Sequence, residues 1–190
     1  MKHWTINDLK VHAKLHNIPI IHDEALLYIQ DYIKTHNIKS ILEIGTAYGY
    51  SAVSFANKTT HVDTIERDPN AILEASLWIK RLNANVTLHA ADALTYEGIQ
   101  KTYDLIFIDA AKSQYETLFN KYSKYLNDGG TIICDNIHFH HLTIETAKTR
   151  STKSLLKKIA AFKTFLLENE AFETKILDNG DGLAVSKKRT

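Results

Sequence analysis

Short apolar runs recur along this chain, each ending at a carboxylate or a glycine turn and each followed by a helical stretch. Residues 41–44, 61–65, 86–90, 105–108 and 131–134 are apolar and rich in β-branched side chains. Strands buried on both faces have this composition. Between them the hydrophobic period lengthens to that of a helix. Residues 23–36 space Leu26, Leu27, Ile29 and Ile33 for one buried side, and Pro69 suits the first turn of a helix through residue 82. A helix is expected over 115–126, closed by a turn at 127–130, and another over 152–169 with Leu155, Ile159, Phe162 and Leu166 on one face. Such alternation specifies βαβ units around a mostly parallel sheet. At the end, residues 172–177 and 183–187 flank Asp178-Asn-Gly-Asp-Gly182, which predicts a β-hairpin.

A chain of 190 residues without repeats or low-complexity linkers reads as one domain, residues 1–190, the first 37 forming an N-terminal helical part. Lys and Arg number 23 against 22 for Asp and Glu, so no global electrostatic partner is implied. The single cysteine, Cys134, excludes an internal disulfide and is read as a packed core thiol. The polar start has no signal-peptide core, and no apolar run reaches membrane-spanning length. The expectation is a soluble cytoplasmic protein without membrane association.

Ligands of open α/β sheets collect outside the carboxyl ends of the strands. Asp109 closes one run, and the pair Asp135-Asn136 closes another. Oxygen donors at two such ends suit a hard cation such as Mg²⁺, Ca²⁺ or Mn²⁺. Either aspartate taken alone reads better as a cap of the following loop or helix, and only the two together with the glycine loop at 45–51 favour a site. The run at 41–44 leads into Gly45-Thr-Ala-Tyr-Gly49-Tyr-Ser51, where the glycines let backbone approach a ligand closely. Thr46-Ala47 interrupts the dinucleotide pattern, so a nucleoside–amino-acid cofactor fits better than one with a pyrophosphate. Glu66, 21 residues after Gly45, ends the next strand and is placed to accept from ribose hydroxyls. Asp92 follows the third strand, where a carboxylate could accept from an adenine amino group.

With these residues in view, LEIGTAYGYS, TIERD, DAL, FIDAAKSQY, the DN pair and the closing GDGLAVSKK resemble the small metal-dependent O-methyltransferases, which include the catechol and caffeoyl-coenzyme-A enzymes. Within that group they are most similar to the bacterial tRNA 5-hydroxyuridine methyltransferases. The resemblance spans nearly the whole chain from Asn17. It implies a Rossmann-like class I methyltransferase fold: α/β, a mostly parallel seven-stranded sheet with helices on both faces and a C-terminal antiparallel β-hairpin. It further implies S-adenosylmethionine as cofactor, held by Ile21, Gly45, Ser51, Glu66, Asp92, Ala93 and Asp109. Asp109, Asp135 and Asn136 would ligate Mg²⁺ or another hard divalent cation, and Lys112 would be the general base. A homodimer is also implied. Relatives have a longer N-terminal helical segment, which leaves the lid and the assembly open.

A cation gripping two neighbouring oxygens serves a catechol and a 5-hydroxyuridine equally well. The resemblance favours methylation of the wobble 5-hydroxyl of tRNA, giving 5-methoxyuridine. The alternative is a small catechol-type acceptor, and a third reading is a non-catalytic module binding RNA or cofactor. Six basic residues and no acidic ones lie between 146 and 163: Lys148, Arg150, Lys153, Lys157, Lys158 and Lys163. They read either as a solvated helix face or as a rim of the site that contacts phosphates, with Lys187, Lys188 and Arg189 adding to it. His138, His140 and His141 do not have zinc-site spacing and are read as rim or surface residues.

Overall fold

The computed structural model describes residues 3–138 and 146–190. Seven strands form one mixed sheet in the order β3-β2-β1-β4-β5-β7-β6. They are β1 (Ser40–Ile44), β2 (His61–Glu66), β3 (Val86–Ala90), β4 (Tyr103–Ile108), β5 (Leu126–Cys134), β6 (Phe172–Leu177) and β7 (Leu183–Lys188). The first five are parallel, and β7 pairs antiparallel with both β5 and β6, closing the expected hairpin. After β3 the chain returns to the middle of the sheet to add β4 beside β1. That reversal opens a crevice at the carboxyl ends of β1 and β4, where ligands of such sheets bind.

The two faces carry different helices because strand side chains alternate. Ile41, Val62, Leu105, Phe107 and Ile133 pack with α1 (Ile6–Leu15), α2 (Asp23–Thr35), α3 (Tyr50–Phe55) and Trp78 of α4 (Pro69–Arg81). On the other face Leu42, Ile44, Ile106, Ile108, Ile132 and Cys134 pack with α5 (Tyr115–Ser123) and α6 (Arg150–Glu168). Pro69 opens α4 as expected, beneath an Asp68 cap that accepts from the Asn70 and Ala71 amides. Among the described residues no helix is long and apolar enough to cross a membrane.

Three local expectations change. Leu27 is 65% exposed while Ala25 is buried, because α2 turns its 25/26/29/33 stripe inward. In α6 Leu156 rather than Leu155 joins the core, for the same reason of helix phase. The helix expected to residue 126 stops at Ser123, and the segment read as a turn lies within β5. Pairing jumps from Tyr103↔Leu126 to Leu105↔Thr131, so residues 127–130 loop out as a bulge. Gly130 fits there because a Cβ would stand 3.0 Å from the Asp104 carbonyl oxygen.

Candidate functional site

A cavity of about 210 Å³ opens at the carboxyl ends of β1, β2, β3 and β4. All seven residues expected to hold the cofactor line it: Ile21, Gly45, Ser51, Glu66, Asp92, Ala93 and Asp109. The sheet achieves most of this convergence, since Gly45, Glu66, Asp92 and Asp109 are far apart in sequence but stand at the ends of adjacent parallel strands. Ser51 comes from α3 and Ile21 from the segment before α2. Gly45 has φ +97°, and a Cβ there would lie 2.1 Å from the Asp109 carbonyl oxygen. Only glycine therefore allows β1 and β4 to close at this point.

Glu66 does more than line the wall. Its Oε2 accepts from the Thr46 and Ala47 amides at 3.1 and 2.9 Å, and its Oε1 from the Arg67 and Asp68 amides at 2.8 and 2.9 Å. Ala47 has φ +46°, an unfavourable backbone state for alanine that this carboxylate helps to hold. A ribose diol would share the carboxylate with the glycine turn. Asp92 accepts from the Leu94 amide at 2.9 Å and pairs with Arg67 at 3.1 Å. The Leu94 amide, followed by Arg67, holds its carboxyl below the usual range despite slight burial.

Beside the cavity, and joined to it through Asp109, stand Asp135 and Asn136. The Asn136 amide nitrogen Nδ2 donates to Asp109 Oδ1 at 3.3 Å, and its backbone N–H donates to Asp135 Oδ1 at 2.6 Å. Asn136 has φ +59°, which asparagine tolerates better than most residues. Tyr115 fixes the strand end by donating its hydroxyl to the Asp135 carbonyl at 2.8 Å. Burial pushes the Asp109 carboxyl upward, opposed by Lys112 and Asn136. Burial raises Asp135 as well, and the charge of Asp109 adds to it. Asp135 Oδ2 is buried without a hydrogen-bond partner. A buried Asp135 with one orphaned oxygen, a half-buried Asp109 that repels it and an adjacent amide oxygen form an oxygen-only donor set that fits a hard divalent cation. Lys112 begins a short 3-10 turn, Lys112–Gln114, half-buried and close enough to favour the ionised forms of both aspartates.

Several lining residues escaped the sequence, among them Tyr48, Tyr50, Arg67 and Gln114. Arg67 had a local signal, since it directly follows the strand-ending Glu66. Glu43 lies fully buried in β1 and donates nothing to a surface. Its Oε2 accepts from the Thr64 hydroxyl, which is linked to the Thr46 hydroxyl on the cavity wall. Asp181, read only as part of the hairpin turn, is 6% exposed, and its charge pushes Asp135 further up. His138 lies at 2.9 Å from Asp178 and 3.0 Å from Lys163 Nζ, while His140 and His141 lie outside the described residues. Among the described residues no group of three His, Cys, Asp or Glu could hold a metal, so any cation here depends on the asparagine.

The O-methyltransferase family model matches residues 4–189. The chain belongs to the O-methyltransferase family. A catechol O-methyltransferase of Niastella koreensis is 29% identical over 164 residues, covering 78% of this chain and 72% of the relative. The tapetum-specific methyltransferase 1 of Arabidopsis thaliana is 25% identical over 181 residues, covering 87% and 76%. Among solved structures, a Staphylococcus aureus protein provisionally described as a caffeoyl-CoA O-methyltransferase superposes with a TM-score of 0.93. It is 34% identical and is matched over 97% of this chain and 92% of its own. An O-methyltransferase from Bacillus cereus in complex with SAH has the same fold, with a TM-score of 0.83 at 22% identity over 100% of this chain and 92% of that one.

Proposed function

We propose that this protein transfers a methyl group from S-adenosylmethionine to one hydroxyl of a small catechol-type acceptor, assisted by a hard divalent cation. The observation that carries this reading is the double membership of Asp109, which lines the nucleoside-sized cavity and touches the Asp135-Asn136 pair. A methyl donor and a chelated acceptor must stand side by side for in-line displacement, and Asp109 is the shared boundary. Family membership and the relatives that act on catechol- or caffeoyl-type acceptors support the small-molecule reading, and the SAH complex supports the cofactor.

In the overall reaction the methyl carbon leaves sulfur, which keeps the electron pair as a thioether, and bonds to the acceptor oxygen. A divalent cation bound by Asp109, Asp135 and Asn136 would supply charge stabilisation for that oxygen. Ile21, Gly45 and Ser51 hold the amino-acid end of the cofactor, Glu66 orients its ribose, and Asp92 with Ala93 meets its adenine. The neutral amine form of Lys112, beside both aspartates, takes the hydroxyl proton and becomes the ammonium.

A second reading, methylation of 5-hydroxyuridine at the tRNA wobble position, is favoured by one specific feature. Lys148, Arg150, Lys153, Lys157 and Lys158 are all exposed on or just before α6, whose first residue is Arg150. That helix packs against the turn bearing Lys112. The deciding experiment incubates protein with labelled S-adenosylmethionine, Mg²⁺ and either catechol or tRNA carrying 5-hydroxyuridine. Label in catechol alone supports the first reading. Label in tRNA, lost in Arg150→Glu/Lys153→Glu while catechol turnover persists, would replace it with the second.

A further inference from the structure

The segment after β3 forms the wall of the cavity through Ala91, Asp92 and Ala93, yet it has no regular secondary structure before β4. Its backbone is tied down locally. The Tyr96 amide donates to the Asp92 carbonyl at 2.8 Å, and the Tyr122 hydroxyl donates to the Ala93 carbonyl at 2.8 Å. A longer tie runs through side chains. Tyr96 Oη lies 2.9 Å from His89 Nδ1, His89 Nε2 lies 2.9 Å from Asp63 Oδ1, and Lys101 Nζ lies 2.6 Å from Asp63 Oδ2.

The direction of this chain of bonds follows from Asp63. The residue is 4% exposed. Burial pushes its carboxyl up, but Lys101 and His89 outweigh that and hold it below the usual range. An ionised carboxylate only accepts, so in the neutral imidazole the proton sits on His89 Nε2 and Nδ1 is the acceptor. The Tyr96 hydroxyl is therefore the donor. It is also seated against bare backbone, because a Cβ at Gly98 would stand 2.3 Å from the phenolic oxygen. None of Tyr96, His89 and Asp63 lines the cavity.

We propose that Tyr96, His89 and Asp63 are positioning residues that set the wall at Asp92-Ala93 and thereby the cavity's preference for an adenine base. The proposal rests on the S-adenosylmethionine reading above. Through the Tyr96 amide the relay reaches the Asp92 carbonyl directly, so a slack Tyr96 lets that wall relax. The contribution of one neutral hydrogen bond corresponds to about three- to tenfold in affinity.

Calorimetric titration of the full-length protein with S-adenosylhomocysteine and with S-inosylhomocysteine, which replaces the adenine amino group by a carbonyl, tests it. The unmodified protein should prefer the adenosyl compound. Tyr96→Phe should weaken that compound by about three- to tenfold while leaving the inosyl compound within about twofold. His89→Gln, which keeps one donor and one acceptor, should retain the preference that His89→Leu loses. Equal preference in Tyr96→Phe and the unmodified protein, or parallel weakening of both compounds, overturns the relay. If the unmodified protein binds neither compound, the cofactor reading fails first and takes the relay with it.

Discussion

Asn136, two residues after β5, holds its side-chain amide 3.3 Å from Asp109 Oδ1, just past the end of the neighbouring strand β4. This one contact ties the cavity beside β1 to the buried carboxylate Asp135. An amide is suited to the place because it is neutral. A third carboxylate there would add to the repulsion from Asp109 that, after burial, already raises Asp135.

Asp135→Ala removes one negative charge from the proposed cation site without touching the cavity wall. Methyl transfer in Mg²⁺ should fall on the order of 100-fold, and Mn²⁺ binding by titration should weaken in parallel. S-adenosylhomocysteine affinity should stay within about threefold. Full activity in EDTA would remove the cation from the mechanism.

Lys112→Met keeps the length and apolar stem of the side chain but not its ammonium. Turnover should drop by about 100- to 10,000-fold, the range of general-base catalysis, with little change in cofactor affinity. Steady-state kinetics beside calorimetry separates the two. A variant that loses cofactor binding and retains turnover at saturation excludes Lys112 as the base.

The two glycines of the β1 turn should respond unequally to alanine. Gly45→Ala meets the Asp109 carbonyl at 2.1 Å and has φ +97°. It should cost more than about 3 kcal/mol and abolish cofactor binding. Gly49→Ala has φ +86° but only an ordinary 3.6 Å contact with Ala75, so its cost is backbone strain of about 1 kcal/mol. Urea unfolding midpoints give the comparison, and equal losses would contradict it.

Glu43 predicts a pH dependence. Burial raises its carboxyl from the ordinary 4.5 to about 8, although the Ser51 and Thr64 hydroxyls favour the charged form. Oε1 has no hydrogen-bond partner of good geometry, as suits a protonated acid. The folded state thus binds the proton more tightly than the unfolded state. Its contribution is complete below about pH 4.5 and is lost progressively as the pH rises to about 8, amounting to a few kcal/mol. Glu43→Gln should flatten that slope. Denaturant titrations at pH 5 and pH 8 measure it, and an unchanged slope refutes the assignment.

Much of the site was legible because its signals are local. Pro69, the glycines at 45 and 49, and the carboxylates at 66, 92, 109 and 135 each follow or precede an apolar run whose period identifies the element. Leu27 and Leu155 lie outside the buried core because helix phase depends on which neighbour the helix meets, and the apolar stripe alone leaves two choices. The bulge in β5 has the local signature of a free turn because Asn, Asp and Gly favour both.

What the sequence determined by itself was the set of strand ends and the residue types standing on them, since strand and helix periods and turn chemistry are properties of adjacent residues. The tertiary structure decided which ends converge, through the sheet order that brings β1 and β4 together after β3. It also decided what each carboxylate answers to: Glu66 to the turn amides, Asp63 to His89 and Lys101, Asp135 to Asp109 across the strand ends. These partners stand 19 to 38 positions away along the chain, and no local pattern specifies them.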